Sequence, residues 1–255
     1  MRRAGLVVIA IALTLYAALC GALYVAQRSL LYFPTPEARS ARAEALSIAT
    51  DGAVLKVWRL GAGDRAVIYF GGNGEDVAAN ISPFASDFPD TAVYLVNYRG
   101  YGGSTGAPSE AALLADAELV FDRVRAQHAH VAVIGRSLGS GVAVHLAAVR
   151  DVGKLALVTP YDSVLRIAQR QLPFVPVSLL LKDTFDSASK APRVRAPVLV
   201  LLAEVDTSIP RDSSARLVAA FAPGQVEVRT IAATDHNSIS DSPEYGPALA
   251  EFLLR

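Results

Sequence analysis

The sequence predicts an α/β fold, a mostly parallel sheet of about eight strands covered on both faces by helices, with one apolar helix ahead of it. Three observations carry this expectation. Short β-branched runs alternate with helical patterns from residue 45 onward, as expected for strands joined by crossover helices. Gly5 to Ala26 contains no charge, and at about 1.5 Å per residue it is long enough to span the roughly 30 Å hydrocarbon core of a bilayer. Gly135-Arg136-Ser137-Leu138-Gly139 joins one apolar strand directly to one helical run.

The apolar run follows Met1-Arg2-Arg3 and reads as a retained anchor. A cleaved signal peptide is the alternative, since small residues such as Ala18 and Gly21 lie near its far end. The amphipathic, aromatic stretch Gln27 to Pro34 is expected to lie against the interface or the domain. Residues 1–28 are thus expected to form a membrane anchor with its N-terminus inside and the following domain, 29–255, on the extracytoplasmic side. Strands are expected at Ala45 to Thr50, Ala53 to Leu60, Arg65 to Phe70, Thr91 to Asn97, His130 to Gly135, Lys154 to Thr159, Pro197 to Leu202 and Val226 to Ile231. Asp51-Gly52 is a hairpin signal, so the sheet should open with an antiparallel pair. Helices are expected at Glu75 to Ala85, Ser109 to Gln127, Ser137 to Val149, Arg211 to Phe221 and Pro243 to Leu254. Between the sixth and seventh strands, residues 163–195 carry the Pro-rich apolar run Leu172 to Leu181. That insertion reads as a small lid, or as a peripheral helix packed on the core.

Charge and cysteine content narrow the function. With 24 basic and 24 acidic residues the net charge is zero, so no overall field recruits nucleic acid. The single cysteine, Cys20, lies in the apolar run, which excludes an intrachain disulfide and a thiolate zinc site. No metal or organic cofactor is implied, and protein partners are not legible.

A serine on a tight strand-to-helix turn needs neighbours without Cβ atoms, which Gly135 and Gly139 supply to Ser137. Its hydroxyl also needs a base. His128 and His130 precede the elbow strand at the opposite end of the sheet, and His145 lies two turns into the next helix. His236 remains, in a polar loop after the last strand. Asp206, beyond the penultimate strand, fits the order serine, acid, histidine, with Glu204 and Asp235 as competitors and Asp162 only if the acid has migrated. The oxyanion donors are expected to be the backbone N–H groups of Leu138 and of Asn73, in the glycine-rich loop Gly71-Gly72-Asn73-Gly74. That loop has neither the lysine of a phosphate loop nor the spacing of a dinucleotide fingerprint.

With these residues the chain resembles the α/β-hydrolase superfamily, in particular the membrane-anchored Bem46, ABHD13 and ABHD17 branch with its serine aminopeptidase-like hydrolase domain. The resemblance extends over Asn97-Tyr98-Arg99-Gly100-Tyr101-Gly102-Gly103-Ser104-Thr105-Gly106, Pro108-Ser109-Glu110, Pro160-Tyr161-Asp162-Ser163 and Leu181 to Ser187. It implies a cofactor-independent hydrolase of ester, thioester or amide bonds, with the triad carried over to Ser137, Asp206 and His236. Gly71-Gly72-Asn73 stands where the family usually has His-Gly-Asn, and Leu202-Ala203 where it often has His-Gly. A non-catalytic scaffold on the same fold, and an acyltransferase using the same triad, are the alternatives.

Overall fold

The computed structural model describes residues 2–255. Asp51-Gly52 closes the expected hairpin, Gly52 taking φ +73°, a value that costs glycine little. It joins β1 (Glu44–Thr50) to β2 (Ala53–Leu60) in antiparallel register, Thr50 facing Ala53. Then come β3 (Arg65–Phe70), β4 (Thr91–Val96), β5 (His130–Arg136), β6 (Lys154–Val158), β7 (Val198–Ala203) and β8 (Val226–Ile231). The sheet order is β1-β2-β4-β3-β5-β6-β7-β8. β2 is antiparallel to β4, and every later neighbouring pair is parallel. All six residues of β4 are buried, as continuous apolar runs require when helices cover both faces of a sheet.

The helices are α1 (Arg2–Leu31), α2 (Ile81–Asp87), α3 (Glu110–Arg125), α4 (Leu138–Val149), α5 (Val164–Gln171), α6 (Val177–Leu180), α7 (Ser187–Lys190), α8 (Arg211–Ala220) and α9 (Tyr245–Leu254). On one face of the sheet, Leu113, Val120, Val142, Leu146 and Leu217 pack with Ile68, Val133 and Val200. On the other, Phe84, Leu249 and Phe252 pack with Tyr69, Ile134 and Leu199. The helix expected from Glu75 starts later. Glu75 turns its carboxylate back onto the preceding loop, Asp76 caps a 3-10 turn at Val77–Asn80 by accepting from Ala78 N–H, and α2 begins only at Ile81. The last helix likewise starts two residues late, behind a 3-10 turn at Ser238–Asp241.

α1 is long and apolar enough to cross a membrane. Over most of its length it stands clear of the domain, with Leu6 67% and Leu13 63% exposed. It also passes the boundary expected at residue 28. Cys20, Leu23, Gln27 and Leu31 recur at helical spacing and are partly buried. The 163–195 insertion, carrying α5, α6 and α7, is bonded to this part of the helix. Tyr16 Oη donates to Phe174 O (2.8 Å), Gln27 Nε2 to Leu180 O (3.1 Å) and Lys182 N to Gln27 Oε1 (2.7 Å). Arg28 Nε pairs with Asp183 at 3.0 Å, and Tyr32 Oη donates to the same carboxylate. Glu110 at the start of α3 accepts from the N–H groups of Thr184 and Phe185 (2.7 and 2.9 Å), fastening the insertion to the sheet domain.

Candidate active site

β5 delivers Ser137 to the carboxyl edge of the sheet, where α4 begins. Ser137 has φ 47° and ψ −114°, a left-handed conformation that non-glycine residues rarely adopt and that stores strain. Its N–H donates to Val158 O of β6 (2.9 Å), and its carbonyl accepts from the N–H and hydroxyl of Ser140. The flanking glycines are required by close approach. A Cβ on Gly139 would sit 2.1 Å from Phe70 O, and one on Gly135 would sit 2.4 Å from Gly139 O.

Ser137, His236 and Asp206 are brought together in one hydrogen-bonded chain. His236 Nε2 lies 2.9 Å from Ser137 Oγ, and His236 Nδ1 lies 2.9 Å from Asp206 Oδ2. An ionised carboxylate only accepts, so Nδ1 carries the proton and Nε2 presents its lone pair to the serine hydroxyl. Burial pushes the Asp206 carboxyl up, but the bond from His236 and those from the N–H groups of Ile209 and Ser208 outweigh it, holding the group below the ordinary carboxylate value.

The competing acids are engaged elsewhere. Asp162 is fully buried under Ser213 and Arg216, Glu204 accepts from Ala233 N–H, and Asp235 accepts from Asn237 and Ser238 N–H, shaping the histidine loop. The other histidines lie apart: His128 bonds Tyr94 and Gly63, His145 pairs with Glu118, and His130 starts β5.

Asn73 and Leu138 line the same cavity as Ser137. Leu138 opens α4, where the first-turn N–H groups have no partner within the helix. A Cβ at Gly72 would lie 3.6 Å from Ser137 Cβ, so the glycine-rich loop runs directly past the serine. Both polar atoms of the Asn73 side chain are engaged. Its Oδ1 accepts from Phe33 N–H (2.9 Å) and Tyr101 Oη (2.8 Å), and its Nδ2 donates to Leu31 O (2.6 Å).

Glu75 and Arg136 are the residues that sequence reasoning missed. Glu75 Oε2 accepts from Gly72 N–H (2.6 Å) and pairs with Arg136 at 3.2 Å, while Oε1 accepts from Tyr69 Oη and Asn80 Nδ2. Arg136 also donates to the carbonyls of Asn237 (3.0 Å) and His236 (3.4 Å). One ion pair thus ties the glycine-rich loop, the serine turn and the histidine loop together. Tyr98 Oη adds a bond to Gly71 O (2.8 Å). These contacts hold the glycine-rich loop in place. A charged residue inside the elbow, next to an otherwise apolar strand, was the available signal.

The cavity, about 310 Å³, is largely apolar; beyond the residues around Ser137 its walls come from Leu23, Leu30 and Leu31 of α1 and from Val164, Ile167 and Leu180 of the insertion. Among the described residues no cluster of His, Cys, Asp and Glu is arranged to hold a metal ion.

No protein-family model matches the chain. An uncharacterised protein of Mycobacterium tuberculosis is 35% identical over 212 residues, covering 77% of this chain and 75% of that one. The α/β-hydrolase domain-containing protein aho-3 of Caenorhabditis elegans is 30% identical over 165 residues, covering 63% of this chain. The chain belongs to the α/β-hydrolase superfamily. This α/β hydrolase spans about half the length of aho-3 (48%) and 66% of bem46 of Schizosaccharomyces pombe, to which it is 25% identical over 199 residues, 73% of its own length. In fold it is similar to the Pyrococcus furiosus esterase Pf2001, with a TM-score of 0.68 over 88% of this chain and 97% of that one, at 17% identity.

Proposed function

We propose that this hydrolase is a membrane-tethered serine esterase or acyl hydrolase acting on ester, thioester or amide bonds of hydrophobic acyl substrates. The observation that carries the reading is the unbroken chain from Ser137 Oγ through His236 to Asp206. His236 takes the serine proton as Oγ attacks the acyl carbon, then returns it to the leaving group, and Asp206 stabilises the imidazolium between the two transfers. The N–H groups of Asn73 and Leu138 receive the oxyanion in the tetrahedral intermediate. Water then enters on the same base, and its hydroxyl displaces Ser137 Oγ to release the acid.

The apolar cavity beside Ser137 supports an acyl chain as the recognised group. α1 serves as the anchor, with the domain on the extracytoplasmic side, and residues 163–195 act as a lid that supplies half of the acyl pocket. Labelling of the full-length protein by a fluorophosphonate tests the mechanism. Wild type labels, whereas Ser137→Ala and His236→Ala do not; folded wild type that neither labels nor hydrolyses p-nitrophenyl esters of any chain length would overturn it in favour of a non-catalytic scaffold.

A further inference from the structure

The span of α1 and the place where the insertion meets it set a depth. Arg3 and Tyr24 are 21 residues apart, about 31 Å of helix, which matches the roughly 30 Å hydrocarbon core. At the Tyr24 level lies a polar belt: Lys182 Nζ stands 4.1 Å from the Tyr24 ring centroid, and the Arg28–Asp183 pair follows one turn on. Such an aromatic and cationic ring marks an interface. Tyr16 lies eight residues nearer the N-terminus, about 12 Å deeper. Yet Tyr16 Oη is bonded to Phe174 O, at the tip of the insertion.

We infer that the tip of the insertion, Leu172 to Leu181, is sunk about 10 Å into the leaflet at which α1 enters the domain, so that the acyl pocket opens into hydrocarbon and draws its substrate from that leaflet. The inference rests on α1 spanning the bilayer. The composition of the tip fits it. Phe174 is 88% and Leu179 82% exposed, and Ser178 is the one polar side chain between Leu172 and Leu181. Much of its backbone fits as well, since irregular chain at membrane depth must satisfy its own polar groups. Pro173 and Pro176 have no N–H to satisfy. The N–H groups of Leu172, Val175, Val177 and Leu179 donate to carbonyls of Ala168, Leu172, Val175 and Pro176, and Phe174 O is taken by Tyr16. The wall between tip and anchor is the acyl cavity itself, lined by Leu23 and Leu30 on one side and Leu172, Val175 and Leu180 on the other. A lipid-like ester already lying in the leaflet therefore meets the pocket without crossing water.

The test uses the full chain, with Cys20→Ser, in phosphatidylcholine vesicles. A single cysteine carrying the fluorophore NBD is placed at Phe174→Cys, at Ile9→Cys in α1, or at Asp64→Cys in the exposed loop before β3. Emission is quenched either by lipids with a nitroxide at acyl carbon 5 or 12, or by aqueous iodide. The expected result is strong nitroxide quenching and less than a fifth of the Asp64 iodide quenching at both 174 and 9. Lipid quenching at 9 with iodide quenching at 174 overturns the sunken tip while keeping the anchor. Iodide quenching at 9 removes the anchor and the inference with it. In parallel, Phe174→Glu/Leu179→Glu, which lies outside the cavity lining, should keep p-nitrophenyl butyrate turnover within twofold and lose at least tenfold on a long-chain ester embedded in vesicles; equal activity on both substrates refutes the proposal.

Discussion

Replacing Glu75 by glutamine separates loop positioning from folding. The variant keeps the shape of the side chain and removes the charge that faces Arg136, whose side chain is only 13% exposed. Removing one partner of a buried pair costs about 3–5 kcal/mol, because the other charge is left without compensation. Arg136 retains the carbonyls of Asn237 and His236, so the expected loss of unfolding free energy lies at the lower end, about 3 kcal/mol. The catalytic effect has a separate origin. The Gly72 N–H is held by this carboxylate at 2.6 Å, and Asn73 is the next residue. Deleting an oxyanion donor outright costs about 10²–10³ in kcat, so a donor that drifts should cost about 10- to 100-fold, with KM changed less than about twofold. Glu75→Gln/Arg136→Met then distinguishes the two effects. Removing both charges restores stability to within about 1 kcal/mol of wild type but leaves kcat low. Urea unfolding in detergent micelles and steady-state hydrolysis of p-nitrophenyl butyrate read the two quantities. If the double variant recovers kcat together with stability, or if Glu75→Gln loses stability at unchanged kcat, the loop does not depend on this carboxylate and the argument is refuted.

Other expectations follow from the same geometry. Ser137→Gly relieves the φ of 47° that Ser137→Ala retains, so the glycine variant should unfold about 1 kcal/mol later than the alanine variant while both lose about 10⁶ in kcat. Asp206→Asn should lower kcat by about 10⁴-fold, since the amide cannot select the same histidine tautomer. The Asp206 carboxyl is held below its ordinary value in the folded chain. Its contribution is therefore complete above the unfolded value of about 4, and the stability advantage of wild type over Asp206→Asn should stay constant at higher pH and decline as pH falls below that point. Ile167→Trp fills the cavity beside Ser137, and if that cavity takes the acyl chain as proposed, each methylene excluded should cost about 0.8 kcal/mol, close to fourfold in kcat/KM, read as a shorter optimum across a series of p-nitrophenyl esters.

The sheet was legible because its central strands are buried on both faces and read as continuous apolar runs, so each expected strand lies within one or two residues of an observed one. The convergence of Ser137, Asp206 and His236 was legible because loops at the carboxyl edge of such a sheet meet, whatever the detail of the strands. The Glu75–Arg136 pair was not. It depends on β3 lying beside β5 with Phe70 opposite Gly135, and neither neighbour order nor register is carried by the local pattern of either strand. The helical start at Val77 rather than Glu75 has the same cause, since the carboxylate is drawn to Gly72 and Arg136 instead of the first turn. The continuation of α1 through Leu31 is likewise a tertiary effect. Its last turn is held by Asn73 and Asp183, partners 42 and more residues away in the chain.

Asn73 donates to Leu31 O and accepts from Phe33 N–H, which ties the end of α1 to the edge of the candidate site. With α1 in a bilayer, as proposed above, such a tie would do more than confine the domain to a surface. The search for substrate would become a walk in a plane, which the domain would meet in one attitude. Cutting the chain after Leu31 would release a particle that has lost a wall of its pocket and one brace of its loop, so shedding would impair the proposed catalysis where, for an enzyme on a flexible stalk, it would merely move it.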